Sequence, residues 1–251
     1  NVGGRNATEG SVMIDGKKAI GYVYPSANIY PTKMSVNTVA GFSCIQFEGN
    51  GGNWQSVPHG LSKKPAFFIQ KNIDSTHAWP IYHQQLSNVG NSASDVHYFS
   101  QHGSGSYDNF QSVNDKTYNV SNWGGTNQSG STMIAWIWHE VPGFSKFGKY
   151  IGNGSSSHGP FVNCGFKPAM VMIKGNNDHW CLHDSARQPN NDNISQLNPN
   201  LNNQEYDGGN PINFVSNGFM IGASNTGGAA GSRTNGDGST YIYMAWAESP
   251  F

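Results

Sequence analysis

The sequence predicts an all-β protein of two tandem, homologous β-sandwich domains, jelly-roll-like, preceded by an N-terminal β-hairpin segment. Three observations predict it. The chain repeats itself, short apolar runs alternate with turn residues, and no window keeps an apolar helical period for three turns without Gly or Pro.

The repeat is read from landmarks that keep one order. Gly41-Phe42-Ser43, Gly49-Asn50-Gly51, Lys64-Pro65-Ala66 and Trp79 return as Gly143-Phe144-Ser145, Gly152-Asn153-Gly154, Lys167-Pro168-Ala169 and Trp180. Both copies close alike, on Gly130-Ser131-Thr132 to Trp138-x-Glu140 and on Gly238-Ser239-Thr240 to Trp246-x-Glu248. The offset drifts only from about 101 to about 108 residues. The expected boundaries are 1–39 for an N-terminal segment and linker, 40–141 for the first repeat and 142–251 for the second. Elements kept in both copies read as scaffold, and differences mark where a site could live.

Taken in order, residues 11–14 and 19–22 read as a hairpin around Asp15-Gly16. A lone hairpin is marginal in water, so it is expected to pack on a neighbour, another subunit being one option. Gly-Asn-Gly in each repeat is turn chemistry, because Gly and Asn tolerate positive φ. Lys-Pro-Ala stands just before a strand, where proline starts the ladder without removing a needed donor. Strands are expected at 67–71 and 170–174, at 79–83 and 180–184, and at 133–138 and 241–246. The last pair is apolar nearly throughout, as befits a central strand covered on both faces. Residues 218–221 read as one more strand after the turn Ser216-Asn217. The repeats differ most between the Trp strand and the closing strand. There the second copy carries an Asn-rich stretch at 188–209 and a Gly-rich one at 225–238, against 87–94 and 101–106 in the first. Loops on a rigid sandwich are where function usually sits.

Composition narrows the function. Charged residues are 12% of the 251, about half the usual share, and the net charge is -1. No basic footprint speaks for nucleic acid. An aromatic share of 12% argues against disorder. Polarity comes instead from Asn, Ser, Gly and Thr, as on many extracellular and virion β-proteins. Cys44, Cys164 and Cys181 are odd in number and unmatched, standing opposite Lys146, Leu61 and Pro80 in the repeat. They read as buried apolar residues rather than a disulfide framework. No apolar run approaches the roughly 20 residues of a spanning helix. No signal peptide is read, and the chain opens at Asn1 without Met, as a fragment or a processed product does.

The Trp strands carry the candidate site. Period two puts Trp79, Ile81 and His83 on one face, with Pro80 and Tyr82 on the other. Trp180, Leu182 and Asp184 share a face, with Cys181 and His183 opposite. One reading makes each Trp core, since it recurs; the other makes it a sugar-stacking platform flanked by polar side chains. Asp184 and Arg187 occur only in the second copy, where the first has His83 and about Leu86, so they are either a structural ion pair or ligand contacts. The candidate ligand-binding set is Trp79, Tyr82, His83, Trp180, His183, Asp184 and Arg187.

No catalytic residue, metal ligand or cofactor is expected. His77 with His83, and His179 with His183, lack further ligands at zinc spacing, and Asp184 points away from His183. Asp207, Asn210, Asn235 and Asp237 lie in loops with oxygen donors suited to calcium, without EF-hand spacing. Glycoside hydrolysis usually needs two carboxyls facing one bond. Asp178 and Asp184 align with His77 and His83, while Glu140 and Glu248 recur one per domain. No Gly-x-Ser-x-Gly elbow is present, and Gly49-Asn50-Gly51 opens no helix that would bind phosphate.

The string from Pro31-Thr32-Lys33-Met34-Ser35-Val36-Asn37-Thr38 into Gly41-Phe42-Ser43 resembles a family of bacteriophage virion proteins. So do Gly143-Phe144-Ser145-Lys146-Phe147-Gly148-Lys149-Tyr150, Gly165-Phe166-Lys167-Pro168-Ala169, His183-Asp184-Ser185-Ala186-Arg187 and the closing run from Tyr241 to Phe251. The resemblance covers about residues 30–251. Such sequences, frequent in marine and cyanobacterial phages, look like C-terminal parts of tail-fibre-like or other structural proteins. The position before Asp184 is often Tyr in that family and is His183 here, which bears on any ligand inference at that strand.

The resemblance implies a virion component on the exterior of a phage tail or capsid, in contact with other virion proteins. The leading expectation is a non-enzymatic, tail-fibre-like protein that binds host surface glycan, arranged as a homotrimer, with no nucleic-acid partner and no membrane insertion. A purely architectural decoration protein and a polysaccharide depolymerase are the alternatives.

Overall fold

The computed structural model describes residues 4–86, 96–97, 104–105, 109–155, 157–175, 179–187, 195–207, 212–222 and 232–250. The chain divides into two compact units, Asn1–Tyr98 with Gly105–Glu140, and Phe99–Ser104 with Val141–Phe251. It is an all-β protein, and each unit is built around a large and a small packed sheet, with the two-stranded ladders Val96–His97 with Ser104–Gly105 and Ser195–Gln196 with Tyr206–Asp207 besides.

In chain order the first part of the molecule holds β1 (Val12–Ile14), β2 (Lys17–Lys18), β3 (Lys33–Asn37), β4 (Phe42–Glu48), β5 (Gln55–Pro58), β6 (Phe67–Asn72) and β7 (Ile81–His83). Then come β8 (Val96–His97), β9 (Ser104–Gly105), β10 (Phe110–Gln111), β11 (Thr117–Val120), a helical turn α1 (Gly124–Asn127) and β12 (Thr132–Trp138). The large sheet runs β2-β1-β3-β4-β12-β6-β7 and the small one β10-β11-β5. Their facing sides share one core. Ile45, Phe47, Phe68, Tyr82, Met133 and Ile137 of the large sheet pack with Val57, Phe110, Tyr118 and Val120 of the small one. Strand alternation decides which side chains take part: on β4, Ser43, Ile45 and Phe47 are buried, while Phe42, Cys44 and Gln46 turn to the other face.

The second part holds β13 (Ser145–Ile151), β14 (Phe161–Asn163), β15 (Met170–Gly175), β16 (Cys181–Asp184), β17 (Ser195–Gln196), β18 (Tyr206–Asp207), β19 (Ile212–Val215), β20 (Gly218–Ile221), a helical turn α2 (Ser232–Asn235) and β21 (Thr240–Trp246). Its large sheet runs β13-β21-β15-β16 and its small one β14-β20-β19. Tyr150, Val171, Ile173, Tyr241 and Tyr243 meet Val162, Ile212, Phe214 and Phe219 between them.

The closing strands are central, as their apolar runs predict. β12 lies between β4 and β6, and β21 between β13 and β15. The order β4-β12-β6-β7 in one unit and β13-β21-β15-β16 in the other takes strands from matching places in the chain, as do β5-β11-β10 and β14-β20-β19. The ladders adjust the landmark alignment by one residue. Phe42 lies opposite Trp138 and Ser145 opposite Trp246, so Cys44 takes the ladder position of Phe147, not that of Lys146. A one-residue slip would exchange the faces.

The N-terminal hairpin is present with a shorter second strand. Asp15 and Gly16 sit at φ 48° and 77°, the double positive φ of a tight hairpin turn. The chain leaves the ladder after the Ala19 N–H donates to Val12 O at 2.9 Å, so residues 19–22 do not form the expected strand. The neighbour is unit one itself, because β1 pairs in parallel with β3. The Asp15 carboxylate accepts the Thr38 N–H at 2.7 Å and the Thr38 hydroxyl at 2.6 Å, which ties the hairpin to the β3–β4 turn. Those bonds hold its pKa below the ordinary value.

The two one-turn helices are absent from the sequence reading, and they hold the Gly-Asn-Gly loops. The buried Asn127 side chain accepts the Asn50 N–H at 2.9 Å and donates to Gly52 O at 2.6 Å. The buried Asn235 accepts the Asn153 N–H at 2.9 Å and donates to Ser155 O at 3.2 Å. Close approach explains the leading glycines. A Cβ on Gly49 would stand 2.2 Å from Gln128 O, and one on Gly152 would stand 2.2 Å from Gly236 O.

Candidate functional site

The structure places the expected ligand-binding residues mostly inside. Trp180 is 0% exposed, so its ring faces cannot stack on a sugar; it is core. Tyr82 is buried, stacked on Phe68 with centroids 4.9 Å apart, and burial pushes its hydroxyl up to about 12. His83 is buried as well, and its Nδ1 accepts the Gln85 N–H at 3.2 Å. These three are corrections to a surface reading of the Trp strands. β7 is buried on both faces, with Tyr82 beside Phe68 on the core side and His83 beside Phe67 on the other.

Asp184 and Arg187 form the structural ion pair. Arg187 Nε donates to Asp184 at 2.6 Å, Nη1 to Glu205 at 2.9 Å and Nη2 to Leu182 O at 3.3 Å. The Arg187 N–H also donates to Asp184 at 2.9 Å, which pins the turn after β16. Partial burial pushes the Asp184 carboxyl up, but the bonds and charge of Arg187 outweigh it and hold the pKa below its ordinary value. Both ends are already occupied, so the pair has little left for a ligand.

His183 faces the interior of unit two. Leu182 bridges Leu197, which sets His183 across from Gln196 on the same face. Both are about 1% exposed, and neither ring nitrogen of His183 nor either amide atom of Gln196 has a hydrogen bond. Burial holds the imidazole down to about 4; the nearby Ser195 main chain offsets this in part without reaching hydrogen-bond geometry.

Other polar groups weighed in the sequence are committed to the scaffold. His77 packs edge-on against Trp123, and Asn200 contacts His179 Nδ1 at 3.0 Å. Asn235 serves its loop, and Asn210 and Asp178 lie outside the described residues. Among the described residues, no three His, Cys, Asp or Glu side chains are grouped to hold a metal.

A concavity lies elsewhere, on the outward face of the large sheet of unit one. It encloses about 490 Å³ beside β1, β3, β4 and β12. Met13, Cys44 and Ile134 line it with apolar surface, and Glu9, Lys33, Ser35 and Gln46 line it with polar groups. Those four polar side chains make no hydrogen bond or ion pair among the described residues, so they are uncommitted. Cys44 is a free, half-buried thiol whose pKa burial raises.

Strand alternation extends this face toward the aromatics. Ile134 and Trp136 are two apart on β12, and Trp136 lies opposite Cys44. Trp79, half-buried, stacks on Trp136 at 6.0 Å with 10° between planes. Trp138 follows, stacked on Phe67 at 5.6 Å. Of the expected site residues, Trp79 joins this face, and His83 shares it by register, buried beside Phe67 with ring centroids 6.2 Å apart. The signal was present in β4 and β12, whose outward residues alternate Phe42, Cys44, Gln46 and Ile134, Trp136, Trp138. It went unread because the face needs four strands to assemble.

Fold and face together define a two-unit, all-β sandwich protein with a small-molecule-sized trough on one sheet. The chain belongs to the family described as a domain of unknown function (DUF7483), which matches residues 21–250 and so runs through both units. No curated protein and no solved structure matches it.

Proposed function

We propose that the protein is a non-enzymatic, glycan-binding component of a phage virion surface, tail-fibre-like in role. One observation carries the binding part: the trough on unit one joins an apolar floor to four uncommitted polar side chains, beside the stacked Trp79 and Trp136. Sugars present apolar ring faces and a rim of hydroxyls, and such a surface answers both. Gln46 and Ser35 suit neutral hydroxyls, while Lys33 and Glu9 add one donor and one acceptor of opposite charge. Glu9 is the sole carboxylate lining the trough, which favours binding over two-carboxylate glycoside hydrolysis. The virion assignment and the homotrimer rest on the resemblance of the sequence to phage structural proteins. A trimer would multiply weak single-site contacts.

A glycan array with the full chain tests the reading. Neutral oligosaccharides are expected to bind, and Gln46→Ala and Trp136→Ala to weaken binding by about tenfold or more with circular dichroism unchanged. Trp180→Ala is no test, because it empties the core. Absence of any glycan binding by the native chain would favour the second reading, an architectural decoration protein. That reading draws support from the Asp184–Arg187–Glu205 network, which spends the polar groups peculiar to unit two on its own fold.

A further inference from the structure

Among the described residues, unit two has an unpaired sheet edge at the place where unit one pairs its own equivalent strand. β4 and β13 hold the same place, each seven residues long and each antiparallel to the closing strand of its unit. On its other side β4 is paired with β3, from Lys33 opposite Gln46 to Asn37 opposite Phe42. The sheet of unit two ends at β13, with no strand beyond it among the described residues. The chain has no local strand to offer. β3 reaches β4 through a short turn, whereas the strand before β13 is β12, already paired on both edges.

The ladder tells which groups face out. Ala247 N–H donates to Phe144 O and Gly152 N–H to Ser239 O, so the even-numbered residues of β13 bond to β21 and the odd-numbered ones point away. Ser145 is closed by its own turn, its N–H donating to Val141 O at 2.9 Å. Lys149 and Ile151 remain open, with an exposed lysine and an isoleucine that is 63% exposed.

We infer that this edge is a docking rail for an extended, acidic segment of another polypeptide, which adds antiparallel to β13 and sets a carboxylate opposite Lys149. Strand addition uses main-chain bonds for affinity and alternate side chains for choice. Charge selects the occupant. A second copy meeting edge to edge sets Lys149 against itself, or against Lys17 and Lys18 on the outer strand β2, and like charges directly opposite are unfavourable. An acidic strand meets attraction at the same place. β3 supplies the template: its register applied to β13 puts Lys33 where the partner carries Asp or Glu.

The test uses the full chain and two labelled peptides with the sequence of residues 28–38, one unchanged and one carrying Lys33→Glu. The Lys33→Glu peptide is expected to bind more tightly than the unchanged one by about five- to tenfold in fluorescence anisotropy. It should slow amide exchange at Lys149 and Ile151. Lys149→Glu in the protein should reverse the preference. Ile151→Pro, which removes an outward N–H and no ladder bond, should abolish binding while leaving the fold intact. Equal binding of both peptides, or of neither, overturns the proposal. So does protection of the Lys149 and Ile151 amides in the peptide-free monomer, or concentration-dependent self-association that protects them.

Discussion

At the scale of single residues, buried amides hold this protein's turns. Asn50 and Asn127 are 77 residues apart, and Asn153 and Asn235 are 82 apart, yet each pair closes a loop. Asn127→Ala and Asn235→Ala are each expected to cost about 2–4 kcal/mol, since several buried main-chain groups lose their partner at once. A urea midpoint that shifts by less than the equivalent of about 0.5 kcal/mol would show the clamp to be dispensable. The facing pair His183 and Gln196 behaves oppositely, because its polar atoms are buried without partners. His183→Phe combined with Gln196→Leu is expected to raise stability by about 1–3 kcal/mol, read from the same denaturation curves. A loss of stability would mean that a polar guest bridges the two. The Gly-Asn-Gly motif was legible as a turn. Its clamp was not, because nothing local in Thr126-Asn127 or Thr234-Asn235 names a partner so far along the chain.

At the scale of elements, the N-terminal segment is part of a sandwich rather than an appendage. Val12, Tyr24, Ile29, Met34 and Val36 all lie in the core of unit one, and β3 covers the edge of β4. Removing residues before 40 is therefore expected to unfold unit one. The check is loss of its methyl dispersion in the NMR spectrum, and a truncated chain that keeps those signals would sink the prediction. Strand identity was readable wherever the apolar run was long, as in β12 and β21. The short strands β5, β10 and β14 carry no such run, and the hairpin's second strand ends early because the chain turns at residues 19–22, where the Tyr22 N–H donates to Ala19 O and Gly21 takes a φ of 71°.

At the scale of the whole molecule, burial disfavours the charged form of a histidine in each unit, His59 in the first and His183 in the second. His59, 0% exposed, accepts the Leu61 N–H on Nδ1 at 3.1 Å and faces Asn114 O from Nε2 at 3.1 Å, which fits the neutral Nε2–H form. Burial holds His59 and His183 down to about 4, against an ordinary 6.5. The unfolded chain then takes up protons first on acidification. Stability from these groups is fully present above pH 6.5 and is lost as the pH falls toward 4, by about 1.4 kcal/mol per pH unit for each group. Urea denaturation at pH 7, 6 and 5 checks this, and His183→Phe should remove about half of the slope. A flat profile over that range would contradict the burial of both rings.

The sequence by itself determined the all-β class and the placing of the central strands. Those features follow from local periodicity, turn chemistry and comparison of one stretch with another, all written along the chain. Only the tertiary structure decided that Asp184 and Arg187 are spent on Glu205 and the β16 turn, and that Tyr82, His83, Trp180 and His183 are buried. It alone assembled the trough of Glu9, Met13, Lys33, Ser35, Cys44, Gln46 and Ile134 beside Trp136 and left the edge of β13 unpaired among the described residues. Burial and vacancy are properties of what stands opposite a side chain. In a sheet that neighbour comes from a distant strand, and only the ladder register names it.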